Sequence, residues 1–89
     1  MTIVNNVVSV GTAIVQIASP DDNPQIIMLH NHDHSSNEDL FIGGPSVTAA
    51  SGFHVPKTET ITVHLAAGDS LFAVSDGGSI VVHVLQTKI

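Results

Sequence analysis

The chain has 89 residues, the size of one small domain; 43% of them are hydrophobic and 11% are charged. This composition excludes a disordered chain, because disorder requires low hydrophobicity and high charge. Lys57 and Lys88 are the only basic residues, so the formal net charge is −6. A chain this acidic is repelled by a phosphate backbone, and we therefore expect no nucleic-acid partner. The lack of cysteine excludes disulfides and thiolate metal sites.

The residue types favour β-structure. Val, Ile and Thr together supply 28 of the 89 residues, and branched side chains fit a pleated sheet well. The longest apolar runs are only a few residues, whereas a membrane helix needs about 20, so we expect no membrane partner.

Turn-forming Gly, Pro, Asn and Asp residues divide the chain into short segments of strand length. In chain order, strands are predicted at residues 2–9, 12–18, 25–31, 38–43, 53–55, 59–65, 70–75 and 79–87. None of these segments combines a helical period with capping residues. The sequence therefore predicts an all-β protein, with residues 1–89 forming a single β-sandwich of jelly-roll type with about eight short antiparallel strands.

The strand at 79–87 is apolar on both faces, since Ile80, Val82 and Val84 alternate with Val81, His83 and Leu85. A strand that is apolar on both sides is covered on both sides. The N-terminal strand has a similar run. In so small a domain we expect the second cover to be another protein surface. The predicted contact residues are Val7, Val8, Val10, Val81 and Leu85.

The densest group of candidate metal ligands is the run His30-Asn31-His32-Asp33-His34, followed by Glu38. Imidazole and carboxylate ligands suit zinc, iron, nickel or manganese. The spacing His32-x-His34-x3-Glu38 resembles the first metal motif of cupins, with His83 or His64 as a ligand from another strand. Cupins also have a glycine before the first histidine and a later Pro-x-Gly-x-x-His stretch, and this chain has neither. An exposed loop or a subunit contact is thus the favoured interpretation, and a cupin-like metal-binding protein or enzyme is the alternative. His64 and His83 could also be cross-strand neighbours.

A longer pattern, spanning roughly residues 25–86, lies in the order of the strands and turns. Its parts are residues 39–55 (DLFIGGPSVTAASGFHV), 60–63 (TITV), 67–69 (AGD), 71–74 (LFAV) and 78–85 (GSIVVHVL). In this order they resemble small virion proteins of tailed bacteriophages. The run from His30 to His34 departs from the pattern, where small polar residues are expected.

The resemblance implies a capsid decoration, or head-stabilising, protein with a β-sandwich fold and no catalytic residues or cofactor. It implies a homo-oligomer, a trimer, seated on the major capsid protein at the outer capsid surface of the virion. The expected role is stabilisation of the capsid, so the five predicted contact residues would face another subunit or the capsid. A tail or fibre adhesion module is a further alternative.

Overall fold

A computed structural model describes residues 2–32 and 39–89 of the chain. These residues form eight β-strands: β1 (Thr2–Val10), β2 (Val15–Ala18), β3 (Gln25–Asn31), β4 (Leu40–Gly43), β5 (Phe53–Val55), β6 (Thr60–Leu65), β7 (Leu71–Ser75) and β8 (Ile80–Lys88). All eight predicted strands are confirmed. The largest difference is at β2, which begins at Val15 because residues 12–14 belong to the turn after β1. Within the described ranges no helix is long and apolar enough to cross a membrane.

The strands make two antiparallel sheets of four in the described part of the chain, ordered β1-β8-β3-β6 and β2-β7-β4-β5. The first has the longer strands, and we call it the larger sheet. Each strand pairs with its counterpart counted from the other end of the chain: β1 with β8, β2 with β7, β3 with β6, and β4 with β5. This is the pairing of a long antiparallel ribbon wound into a jelly roll. The predicted fold class, a small all-β sandwich, is therefore confirmed.

The core lies between the two sheets and is built from aliphatic side chains. Along β8, Ile80, Val82 and Val84 are buried, and they meet Ile27 and Leu29 of the neighbouring β3. The second sheet contributes buried residues from all four of its strands: Ile17, Leu40, Ile42, Val55, Leu71 and Ala73. Full burial of a Val, Leu or Ile side chain stabilises a fold by roughly 1.5–3 kcal/mol, so this contact is the main source of stability.

The face assignment of β1 corrects part of our prediction. Val10 is completely buried opposite Ile80, and Val8 packs against the core, so neither residue presents a side chain to a partner in this fold. Val7 points the other way and is exposed. The two-residue period of a strand places Val8 and Val10 on one side and Val7 on the other, and because all three are apolar the sequence does not show which side faces the core.

Buried amides hold both ends of β3. At its start, Gln25 donates a hydrogen bond to the carbonyl of Ser19 (2.9 Å) and accepts one from the amide of Gln86. At its end, Asn31 donates to the carbonyl of Val55 in the second sheet (3.1 Å). A buried amide without a partner is costly, so these bonds fix the position of β3 along the sheet.

The turn between β2 and β3 is tied to the end of β8 by Asp21. Its carboxylate accepts a hydrogen bond from the backbone amide of Asn23 (3.0 Å) and lies 3.5 Å from the ammonium of Lys88. The Asn23 bond is the main cause that lowers the pKa of Asp21 below its ordinary value of 3.8, and the charge of Lys88 adds to it, although desolvation acts in the opposite direction. The carboxylate is thus favoured in the folded state.

We expect Asp21→Asn to lower the melting temperature at pH 7 and to have little effect near pH 2. Because folding lowers the pKa of Asp21, its contribution is present above the unfolded pKa and is lost as the pH falls through the folded one. Melting followed by circular dichroism from pH 2 to pH 7 measures this difference. Asp22→Asn, at the exposed neighbouring position, is the control. If the melting temperature of Asp21→Asn stays equally far below that of the wild-type chain at low pH, the ionised carboxylate of Asp21 is not the source of the stabilisation.

Candidate functional site: the outer face of the larger sheet

The surface of interest is the side of the β1-β8-β3-β6 sheet that is turned away from the second sheet, which we call the outer face. Strand register places its side chains in rows that cross all four strands. One row contains Val7, His83, His30 and Thr60; the next contains Asn5, Leu85, Met28 and Thr62; the third contains Ile3, Thr87, Ile26 and His64. Ser9 and Val81 continue the face beyond the first row.

Large apolar side chains on this face are exposed to solvent. The exposed fractions are 65% for Ile3, 62% for Val7, 43% for Met28, 42% for Val81 and 41% for Leu85. Between the strands lies a shallow depression of about 300 Å³, lined by side chains of the first two rows. Met28 and Leu85 are direct cross-strand neighbours, and Val7 lies in the adjacent row. Single exposed apolar residues are ordinary, whereas several on one face make that face a candidate interaction surface.

Three imidazole rings meet at one end of the outer face. His30 is directly opposite His83, and its Nδ1 is hydrogen bonded to the hydroxyl of Thr60 at 2.9 Å. His32 follows the end of β3, and its ring centroid lies 4.2 Å from that of His83 and 5.6 Å from that of His30. We call His30, His32 and His83 the histidine cluster. Its rings can donate and accept hydrogen bonds beside the apolar rows.

The backbone around Asn31 positions the histidine cluster. The amide of Asn31 donates to the carbonyl of Glu59, and the amide of Thr58 donates to the carbonyl of Asn31. The amide of His32 donates to the carbonyl of Val81, which extends the pairing of β3 with β8 by one residue. Together with the buried side chain of Asn31, these bonds hold His30 and His32 beside β8.

The outer face carries no formal charge at neutral pH in the part of the chain that the structure describes. The acidic residues of the described ranges all lie outside the strands: Asp21, Asp22, Asp39, Glu59, Asp69 and Asp76. Lys57 is in a turn, and Lys88 shares the inner side of β8 with Val84 and pairs with Asp21. Within residues 2–32 and 39–89, the negative charge therefore lies in the segments between the strands.

The structure brings together some of the predicted ligands. His32 and His83 are in contact, while His34 and Glu38 lie outside the described residues. Within residues 2–32 and 39–89, no group of three or more His, Asp or Glu side chains is arranged to hold a metal ion. The cupin-like ligand set thus stays a prediction.

One histidine pairing differs from the sequence-based expectation. His64 and His83 are not cross-strand neighbours, because β3 lies between their strands and His64 sits two rows away. His83 instead has His30 opposite it on β3 and Val7 opposite it on β1. The order of strands in the sheet decides this pairing, and a single strand's alternation does not reveal it.

Of the five predicted contact residues, Val7, Val81 and Leu85 lie on the outer face, whereas Val8 and Val10 lie on the core side.

No protein-family description, no curated protein and no solved structure matches this chain.

We expect Asn31→Ala to lower the free energy of unfolding by about 2 kcal/mol, because it leaves the buried carbonyl of Val55 without its amide partner. Urea denaturation measures this loss. Asn23→Ala, at an exposed position of the turn before β3 where the backbone amide rather than the side chain is bonded to Asp21, is the matched control and should change stability by less than about 0.5 kcal/mol. Equal stability of the two variants would show that the Asn31 side chain does not hold the end of β3.

Proposed function

We propose that this chain is a non-enzymatic structural protein that binds as an oligomer to the outer surface of a viral capsid and stabilises the shell. The observation that carries the proposal is the uncharged outer face of the larger sheet, on which Val7, Met28 and Leu85 are exposed among neutral polar side chains. Such a face suits a protein whose work is to be covered by other protein surfaces. The order of its strands and turns, which resembles that of small phage virion proteins, directs the proposal to a capsid.

The distribution of charge supports this role. The described acidic residues are in turns, away from the outer face, so an assembled layer would present them to solvent. Negative charge on the exposed surface keeps large particles from associating with one another. An oligomer also engages several capsid subunits at once, and the resulting avidity raises weak single contacts to stable attachment.

The mechanism of stabilisation follows from this geometry. A rigid sandwich that is joined to its copies and bound to neighbouring capsid subunits ties those subunits together. Separating two capsid subunits would then require breaking contacts to the bound protein as well as the contact between the subunits. The major capsid protein is the partner that this proposal requires, and it requires no cofactor.

The ring of His32 lies beside those of His83 and His30, and this proximity is the observation behind one second candidate, a small metal-binding protein. These three described side chains are not themselves arranged to hold a metal ion, so that candidate requires further ligands. Imidazole nitrogens are common ligands of zinc, copper and nickel. Native mass spectrometry without a chelator separates the two candidates: a metal-free oligomer supports the structural role, and one transition-metal ion per chain supports the second candidate.

The proposed function predicts saturable binding to shells. Under this proposal the gene for the chain belongs to a phage, and empty heads of that phage, prepared without this protein, are mixed with increasing amounts of it and pelleted. We expect a fixed ratio of bound protein to major capsid protein, and a higher temperature of shell disruption than for the same heads left undecorated. Failure to pellet with the heads, together with an unchanged disruption temperature, would rule the function out.

A further inference from the structure

We infer that the outer face packs against the same face of a second copy of this chain. The inference rests on the proposed function in one respect, since it names the contact that makes the structural protein an oligomer. The residues of the contact are those of the first two rows, with Val7 and Leu85 among its apolar members and the histidine cluster at one end.

The size of the face fits a stable contact between two proteins. The molecule measures 36 × 24 × 15 Å along its principal axes. The largest side of a box with these dimensions has an area of roughly 860 Å², so a flat contact of the 800 Å² or so that each partner contributes to a standard interface is within the reach of this molecule. A second copy presents a face of the same dimensions and can therefore cover this one.

Charge argues for a second copy over a different, charged partner. Each chain has a formal net charge of −6, and two such chains repel wherever their acidic turns approach. The outer face has no Asp, Glu or Lys within the described residues, so contact between two outer faces keeps the acidic turns at the periphery. A basic partner would gain nothing from this face, because it offers no negative charge.

The polar side chains of the face are self-complementary. Thr60, Asn5 and the rings of His30 and His83 each carry both hydrogen-bond donors and acceptors when neutral. Two identical faces therefore contain all the groups needed to satisfy one another. On the two central strands, Leu85 and Met28 are paired beside His83 and His30, so two copies would bring together apolar side chains and neutral groups that can hydrogen bond with one another.

The test is the association state of the purified chain in EDTA, measured by sedimentation over a range of concentrations. Leu85→Asp and Val7→Asp each place a carboxylate in the proposed contact, where two copies would bring like charges together and desolvate them. We expect the wild-type chain to be an oligomer and each variant to associate roughly 100-fold more weakly or worse.

Two control variants have the same chemistry and similar exposure elsewhere. Phe53→Asp matches Val7→Asp, since both side chains are 62% exposed on strands, and Ile14→Asp (44%) matches Leu85→Asp (41%). Both controls should associate like the wild-type chain. Circular dichroism melting of all four variants separates loss of association from loss of folding. All four side chains are at least 41% exposed, and such positions tolerate polar substitutions.

Three results would overturn the inference: a monomeric wild-type chain, oligomers that persist in both outer-face variants, or oligomers that exist only without EDTA. The last would assign the contact to metal ions bridging histidines. None of these results depends on a capsid being present. A chain that self-associates through the outer face but does not pellet with heads supports this inference and contradicts the proposed function. A chain that pellets with heads but does not self-associate through the outer face contradicts this inference and supports capsid binding.

Discussion

The register of β8 between β1 and β3 is the constraint on which the rest of the structure depends. β8 pairs with β1 from Ile80 to Lys88 and with β3 over most of the same length, so one strand aligns three of the four strands of the larger sheet. Its alternation then assigns the two sides of the sheet. Ile80, Val82 and Val84 enter the core, and the residues between them form the middle of the outer face. A shift of one residue would exchange the two sets.

Both sides of β8 are apolar, and this makes its register less strongly determined by burial alone. The buried amides of β3 supply the missing information. Gln25 bonds to Gln86 at one end of the strand pair, and Asn31 bonds to Val55 of the opposite sheet at the other. A register slip would leave these amides buried without partners, a cost that aliphatic side chains alone do not impose. The hydrogen bonds of the amides at both ends of β3 therefore fix the register that the hydrophobic pattern alone does not determine.

Fold and strands could be predicted because the signals are local. Turn residues mark every break between strands, and Ile61 and Val63 alternate with threonines so regularly that the core side of β6 follows from the sequence. The sides of β1 were harder: alternation separates Val7 from Val8 and Val10, but all three are apolar, and only the pairing with β8 shows which side faces the core. The histidine cluster was harder still. His30 and His83 are 53 positions apart in the sequence, and their contact requires β3 and β8 to be neighbours in a jelly roll.

An 89-residue sandwich buries a modest fraction of its surface, and this chain has no disulfide to compensate. Some of its large apolar side chains stay outside the core: Ile3, Val7, Met28, Val81 and Leu85 on the outer face of the larger sheet, and Val4, Ile14, Phe53 and Ile89 elsewhere. Covering the outer face adds to the stability of the folded chain, because any partner that binds only the folded state shifts the folding equilibrium toward it. The alternating side chains of β8 would then serve both folding and assembly. One side of the strand packs in the core of the subunit, and the other side would form the contact between subunits. The same residue pattern that makes the isolated domain modest in stability would make the assembled protein a rigid structural element.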